Sequence, residues 1–459
     1  MTRYWPTLLM FIVLAGLGSY LYLVEFPAEQ REEKQESAQK HILPFPETTI
    51  TGLSITTAQG PVEFKLTKPG KWTIVAPLQT DADNREVQAL IRALVTGTVN
   101  RTVEEQAKQL APFGLEQPVT TLTITAGTQQ ETISIGDSGP LSNTLYVLRA
   151  SDRRVLLTNL APRDFINKSL MTFRRKELLQ FVQNDVERVR LTYPTTEIVI
   201  YNMTKDKPRP SWKIRYPIEA EADQNEVRSL MFRLEDLKAL GIIDPGPERD
   251  AVAKTLTAPK VKVTLHTAAG DQSVRLYQPN PQSGEAIAET TADAPLYYIN
   301  PALIKDLTKE LFNLQDKRLL GLDYTDIAML SVKTREHQYT LINQTGEWML
   351  EDQPTEKVSQ EAGDLLVSRV ANLPAEERVM KQSAPLAPYG LLAPAAEFVA
   401  TSKDGKTTGK LTLGNQAGNL LYATGQRLQG VFQVRPDLLT QIPSKTDLTK
   451  TQDKTNMGH

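Results

Sequence analysis

Three short tryptophan-bearing runs constrain this chain more than any other feature. They read "GKWTIVAP" at Trp72, "PSWKIRYP" at Trp212 and "GEWMLEDQP" at Trp348, at intervals of 140 and 136 residues. Other landmarks keep the same step. Eleven residues after each Trp stands a residue of the helix-capping type: Asp83, Asp223 and Ser359. After 46 or 47 residues, Pro118, Pro259 and Pro394 each open a strand-like run, and after 88 to 90 residues come Pro162, Pro301 and Pro436. Phe113-Gly114-Leu115 and Tyr389-Gly390-Leu391 both begin 41 residues after their Trp, whereas the second copy lacks this motif. Between copies, "RRKELLQFVQNDV" (174–186) aligns with "QDKRLLGLDYTDI" (315–327), pairing Lys176 with Lys317 and Asp185 with Asp326. Self-similarity at a fixed period marks a repeat architecture. We read three units, 47–182, 183–322 and 323–443.

Within a unit, runs such as "ITGLSIT", "VEFKLTK", "TTLTITA" and "QETISIG" alternate at period two, which sends one face of a strand inward. After the Trp strand the period changes. Val87, Leu90, Ile91 and Leu94 in copy one, and Val227, Leu230, Met231 and Leu234 in copy two, fall on one helix face. Asp83 with Glu86, and Asp223 with Glu226, predict capping boxes, while Ser359 faces Ala362 and leaves the third incomplete. Pro162, Pro301 and Pro436 predict the first turn of a second helix, with Asn300 as a further cap. The expected fold class is therefore α+β: an N-terminal transmembrane helix, then three repeated units, each a mainly antiparallel sheet with two helices.

The flanks read differently. Trp5–Val24 is a run of 20 residues without a charge, ~30 Å long as a helix, enough to cross a hydrocarbon layer. Arg3 precedes it, and Glu25, Glu29, Glu32 and Glu33 follow it, which favours an amino terminus inside and a body outside. We assign 1–24 as the anchor, a cleaved signal peptide being the alternative. Residues 25–46 read as a polar stalk and 444–459 as a disordered polar tail.

Composition removes several function classes. Lys+Arg number 52 and Asp+Glu 54, so no basic surplus meets a nucleic acid. Cysteine is absent, which removes disulfides, zinc thiolates and cysteine nucleophiles. The four histidines, His41, His266, His337 and His459, share no metal spacing. "SIGDSGPLSN" (134–143) has the look of a serine-protease nucleophile loop at Ser138, but unit one holds no histidine base. The third copy carries Gly414-Asn415-Gln416-Ala417-Gly418 in the matching place, without serine, so both stretches read as turns between strands. The three tryptophans read as core. Asp81, Asp83 and Glu86 read as capping acids, since a calcium loop needs a central glycine and a distal glutamate that are missing here. Arg174-Arg175-Lys176 read as a solvated basic face at a helix carboxyl end. Gly70-Lys71 lacks the upstream glycine of a phosphate loop and feeds a strand. No catalytic, cofactor-binding or metal residue is assigned.

Gly70-Lys71-Trp72-Thr-Ile74-Val-Ala-Pro77, then Ala82-Asp83 to Val87 and Leu90, then Pro112-Phe113-Gly114-Leu115 and Ile135-Gly136, together with the hydrophobic amino-terminal helix, resemble the bacterial domain of unknown function family 4340. The second copy departs by lacking the Gly-Leu turn, and the third by lacking the Ala-Asp pair. The resemblance implies a single-pass protein of the bacterial cytoplasmic membrane with its body in the periplasm or cell exterior. It further implies an accessory role beside ABC-type transporter components, and it carries over no catalytic residue. The expected function is a non-catalytic interaction or accessory subunit. The alternatives are an extracytoplasmic hydrolase using carboxylates on envelope material, and a glycan- or ligand-binding module with exposed tryptophan platforms.

Overall fold

This computed structural model describes residues 40–449, less 167, 205–209, 279–283, 292–293 and 381–384. The run Trp5–Val24, residues 25–39 of the stalk and residues 450–459 of the tail lie outside the described residues. Among those described, no helix is long and apolar enough to cross a membrane.

Three nine-stranded antiparallel sheets repeat one strand order, with helices between the strands, in an α+β architecture. In the first sheet the strands are β1 (Ile50–Thr57), β2 (Gly60–Lys68), β3 (Lys71–Ala76), β4 (Thr80–Asp81), β5 (Val99–Glu104), β6 (Thr120–Ala126), β7 (Gln129–Ser138), β8 (Leu145–Arg149) and β9 (Arg154–Thr158). Their spatial order is β4-β3-β2-β1-β6-β7-β8-β9-β5. The chain runs from the centre to one edge. Helix α1 (Asn84–Thr96) then leads from the β4 edge to the opposite one, where β5 pairs with β9. β6 returns to the centre beside β1. Period-two patterning explains the faces: in β6, Thr120, Leu122, Ile124 and Ala126 are buried and the three intervening threonines are not. Strand β4, of two residues, and strand β5 do not follow from alternation.

The helix stripe is as the spacing predicts. Val87, Leu90, Ile91 and Leu94 are buried with Trp72, Ile74, Leu122 and Ile133 in one core, each such side chain contributing ~1.5–3 kcal/mol. Trp72, Trp212 and Trp348 are 4, 3 and 2% exposed, so none offers a face for ligand stacking. A device absent from the sequence reading holds each Trp strand. The amide twelve residues after the Trp, on the first residue of the helix, accepts its backbone N–H: Asn84 from Trp72 at 2.7 Å, Gln224 from Trp212 at 2.8 Å and Gln360 from Trp348 at 2.7 Å. Gln224 and Gln360 also donate to the carbonyls of their Trp, at 2.9 and 3.2 Å.

The helix starts are capped by Asp83, Asp223 and Ser359, but the predicted boxes do not close. The cap residue's own N–H donates instead to a carbonyl from the end of the copy: Asp83 to Phe173 at 2.7 Å, Asp223 to Leu314 at 2.8 Å, Ser359 to Leu448 at 2.7 Å. This leaves Glu86 to pair with Lys168 at 3.3 Å and Glu226 with Lys309 at 3.1 Å. The accepting carbonyls belong to the short helices α2 (Leu170–Phe173), α6 (Leu311–Leu314) and α9 (Lys445–Thr449).

Two boundary expectations change. Residues 445–449 are not disordered tail, because α9 is helical and Leu448 is wholly buried in the third core. The end of the stalk is not a polar spacer. Ile42, Leu43 and Phe45 are buried in the first core, and the Ile42 N–H donates to the Gly97 carbonyl at 3.3 Å. The helix count also differs. Pro162 opens a single 3-10 turn, Pro162–Asp164, and only in the later copies do α5 (Ala302–Leu307), capped by Asn300, and α8 (Asp437–Thr440) follow the prolines. Copy two has a fourth helix, α4 (Pro247–Thr255), besides α3 (Gln224–Glu235), α5 and α6. In copy three, α7 (Gln360–Ala371) is the counterpart of α1.

The chain divides into two compact units. One holds the first sheet, ends at Glu177 and takes in Lys238–Ile242; the other comprises Leu178–Leu237 and the chain from Ile243 on. Leu448→Ala is expected to cost the third copy ~2–5 kcal/mol, as for other buried leucines. Hydrogen exchange of α7 checks it: faster exchange is expected, and unchanged protection would return 445–449 to a peripheral tail.

Candidate functional site

Ser138 is placed first. It is not in a turn, as the sequence reading had it, but is the last residue of β7. The pairing of β7 with β8 shifts register between Ile135 and Ser138, so Gly136 and Asp137 form a bulge. The Pro-Phe-Gly-Leu turn docks on that bulge. A Cβ on Gly136 would collide with the Phe113 carbonyl, and one on Gly114, whose φ is 65°, would collide with the Asp137 carboxylate. Copy three repeats the arrangement with Gly414 under Tyr389, and Gly390, φ 69°, under Asn415. The aromatic residue of each turn packs on a tyrosine: Phe113 on Tyr146 at 5.1 Å, Tyr389 on Tyr422 at 4.9 Å. Glycine is needed where another backbone comes this close. Gly136→Ala is expected to cost ~1–3 kcal/mol by overpacking, and exposed Ser138→Ala to stay within ~0.5 kcal/mol. Urea unfolding of the two variants distinguishes the bulge from a serine site.

The acidic and basic runs are structural. Asp81 accepts from Arg175 at 2.8 Å and faces Lys71 at 3.4 Å, Asp83 caps α1, and Glu86 pairs with Lys168. The three acids thus face different partners, and among the described residues no group of three or more potential ligands is placed to hold a metal. Arg174 and Arg175 are no solvated face. Arg174 is 5% exposed, and Arg175 is tied to Asp81. Lys176 donates to the Thr172 carbonyl at 3.2 Å. His41 bridges Thr98, His266 meets Asp271, the His337 N–H donates to Thr334 Oγ1, and His459 lies outside the described residues.

Copy two, which lacks the glycine turn, has α4 in its place and a buried ion cluster beneath. Glu289 accepts from Arg249 at 3.2 Å, Arg275 at 3.0 Å and the Tyr277 hydroxyl at 2.9 Å. Burial, then the hydrogen bond and charge of Glu289, push the Tyr277 hydroxyl up to about 12. Another cluster, Asp316 with Arg318 and Arg427 and Asp323 with the same two arginines, braces the segment between copies two and three. Burial opposes charge on Asp316, but the Arg318 hydrogen bonds and the two guanidinium charges outweigh it and hold the carboxyl below its usual range. A lowered folded value contributes stability above the ordinary carboxyl value of ~4 that is lost as pH falls through the lowered one. Asp316→Asn is expected to lower the urea midpoint at pH 7 and to reduce its fall on acidification to pH 3. Parallel urea curves at the two pH values check this.

The site with the most open chemistry lies in the second compact unit, in a groove of about 1000 Å³. One wall carries Tyr193, Pro194 and Ile198. Thr308 to Asn313, with α6, form the floor, and the outermost strand of the third sheet, Glu377–Met380, forms the far side. Tyr193 holds the floor in place: its hydroxyl donates to the Lys309 carbonyl at 2.5 Å and accepts the Lys309 N–H at 3.2 Å. Arg378 is the distinctive side chain. Its guanidinium lies 4.9 Å from the Phe312 ring and 5.5 Å from the Phe432 ring, and these rings stack at 6.0 Å. Its one hydrogen bond among the described residues is from Nη2 to Gln315 Oε1 at 3.3 Å, and no carboxylate pairs with it. Its Nε and the Thr308 hydroxyl are buried without a partner. Burial lowers the Arg378 guanidinium below its ordinary value. Sequence reasoning missed this groove, because Phe312, Arg378 and Phe432 are scattered along the chain and fit no motif.

Residues 72–259, and again 212–391, match the family described as domain of unknown function (DUF4340). The chain belongs to this family. The two DUF4340 matches begin at Trp72 and Trp212, one repeat period apart, and each extends beyond its own copy into the sequence of the next. No curated protein matches the chain.

Proposed function

We propose that this DUF4340 protein is a non-catalytic, membrane-anchored extracytoplasmic subunit that offers an interaction surface to other envelope proteins, in an accessory role beside an ABC-type transporter. The observation that carries the reading is the triplication. One nine-stranded fold recurs three times with the same buried machinery: Trp, helix-borne amide, helix cap and closing carbonyl. The polar chemistry outside that machinery differs from copy to copy. Repetition of this kind multiplies surface and points of attachment, whereas a catalytic centre needs one assembled constellation. Anchoring is supported by the length and lack of charge of Trp5–Val24 and by the acidic residues after it. The transporter association is supported by the family resemblance alone.

Membrane fractionation with crosslinking tests the reading. The full chain is expected in the membrane fraction, crosslinked to envelope proteins that include transporter components, and a chain lacking residues 1–24 is expected in the soluble fraction. Recovery of the uncrosslinked monomer alone, at native expression, would overturn the interaction role. A soluble full chain would overturn the anchor.

A further inference from the structure

The groove beside Arg378 carries chemistry that the repeated fold does not require. In the third sheet Arg378 lies opposite Phe432; at the same place in the first sheet Thr102 lies opposite Leu156. The same spacings from the Trp, 30 and 84 residues, fall on Ile242 and Leu296 in copy two. Copy one thus builds this edge from Thr and Leu, and neither corresponding position of copy two carries a charge or an aromatic ring. The third alone sets a cation against an aromatic ring. Arg378 is half-buried and, among the described residues, has no carboxylate partner; partial desolvation of a guanidinium is unfavourable, and two rings offset only part of that. A local departure of this kind, with no fold to serve, marks a functional position.

The groove's character defines what would complete it. The planar fork of a guanidinium matches a carboxylate, and Nη1 of Arg378 donates to nothing among the described residues. The unpartnered Thr308 hydroxyl adds a second polar group. Glu310, Glu376 and Glu377 line the groove together with Lys260, Lys309 and Arg378, so the lining has no cationic excess to favour a doubly charged anion such as phosphate. Leu311, Phe312 and Pro194 supply apolar surface, and the volume suits a small molecule or a peptide end.

We propose that this groove is a binding site for a monocarboxylate with an apolar body, the carboxylate paired with Arg378 and the body held against Phe312, Leu311 and Pro194. The assignment does not depend on membrane attachment or on a transporter partner.

Calorimetric titration of the full chain in lipid nanodiscs tests it, with phenylacetate and its neutral isostere phenylacetamide as probes. A second pair, acetyl-Ala-Leu-Phe with a free or amidated carboxyl end, distinguishes a free organic acid from a peptide terminus as the source. At least one acid is expected to bind about tenfold or more tightly than its amide, to lose that advantage in Arg378→Gln and to recover part of it in Arg378→Lys. Binding of the peptide acid alone supports the proposal and names a peptide end; binding of phenylacetate supports it with a small acid. Equal binding of acid and amide, no binding of either acid, or binding unchanged in a folded Arg378→Gln overturns it. So does competition by inorganic phosphate as strong as by phenylacetate. The acid–amide comparison needs no variant, and so decides the matter even where Arg378→Gln fails to fold.

Discussion

The N–H of each helix-cap residue, Asp83, Asp223 or Ser359, is an orphan donor that a helix cannot satisfy from within. In this protein its acceptor is the carbonyl of Phe173, Leu314 or Leu448, about 90 residues later in the chain. That one hydrogen bond ties the first and last parts of a copy together at the point where the helix starts. The amide on the next residue grips the backbone of the Trp strand, so helix, strand and closing segment meet at one place. The rest of the copy depends on it. With its start held there, the helix lays Val87, Leu90, Ile91 and Leu94, or their counterparts, on the sheet over a buried Trp. Glu86 and Glu226, spared from capping, pair with the lysines that precede the closing helices.

What the three copies share is backbone geometry and buried apolar surface. What they do not share is polar. Copies one and three pin the bulged strand with a glycine turn, because Gly136 and Gly414 allow a carbonyl to approach where a Cβ could not stand. Copy two has no such glycine and substitutes a helix with a carboxylate held by two arginines and a tyrosine. Copy three sets Arg378 beside two stacked phenylalanine rings. The DUF4340 matches run across copy boundaries, and within the second compact unit copies two and three are joined by the hydrogen-bonded segment 315–319.

Legibility followed the range of the interaction. The tryptophans, the helix stripes and the long strands were readable, since period and spacing are properties of the chain order. The misreadings share a cause. Ile42 and Phe45 sit beside a charged stretch, Leu448 stands in a polar tail, and Arg174 belongs to a basic run, so local composition pointed each of them to solvent. Each is buried because a distant segment covers it. Gly136-Asp137 shows a subtler case: glycine and aspartate suit a turn, yet the pairing register with β8 makes them a bulge. The groove around Arg378 was invisible for the same reason as the closing carbonyls, its parts being 66 and 54 residues apart in sequence.

The sequence by itself determined that there are three copies, that each is an α+β unit with a Trp-centred core, and that the chain has no cysteine and no histidine pair at metal spacing. Hydrophobic period and residue inventory are local quantities, and they suffice for those conclusions. Only the tertiary structure decided where each copy closes, that an amide twelve residues after the Trp grips its strand, and that a cation with no carboxylate partner among the described residues faces a groove. These depend on which donor meets which acceptor across tens of residues, and on how much solvent the intervening chain leaves at the meeting point. Two phenylalanine rings, distant in sequence, gather around a half-buried arginine, and that gathering is a property of the folded chain alone.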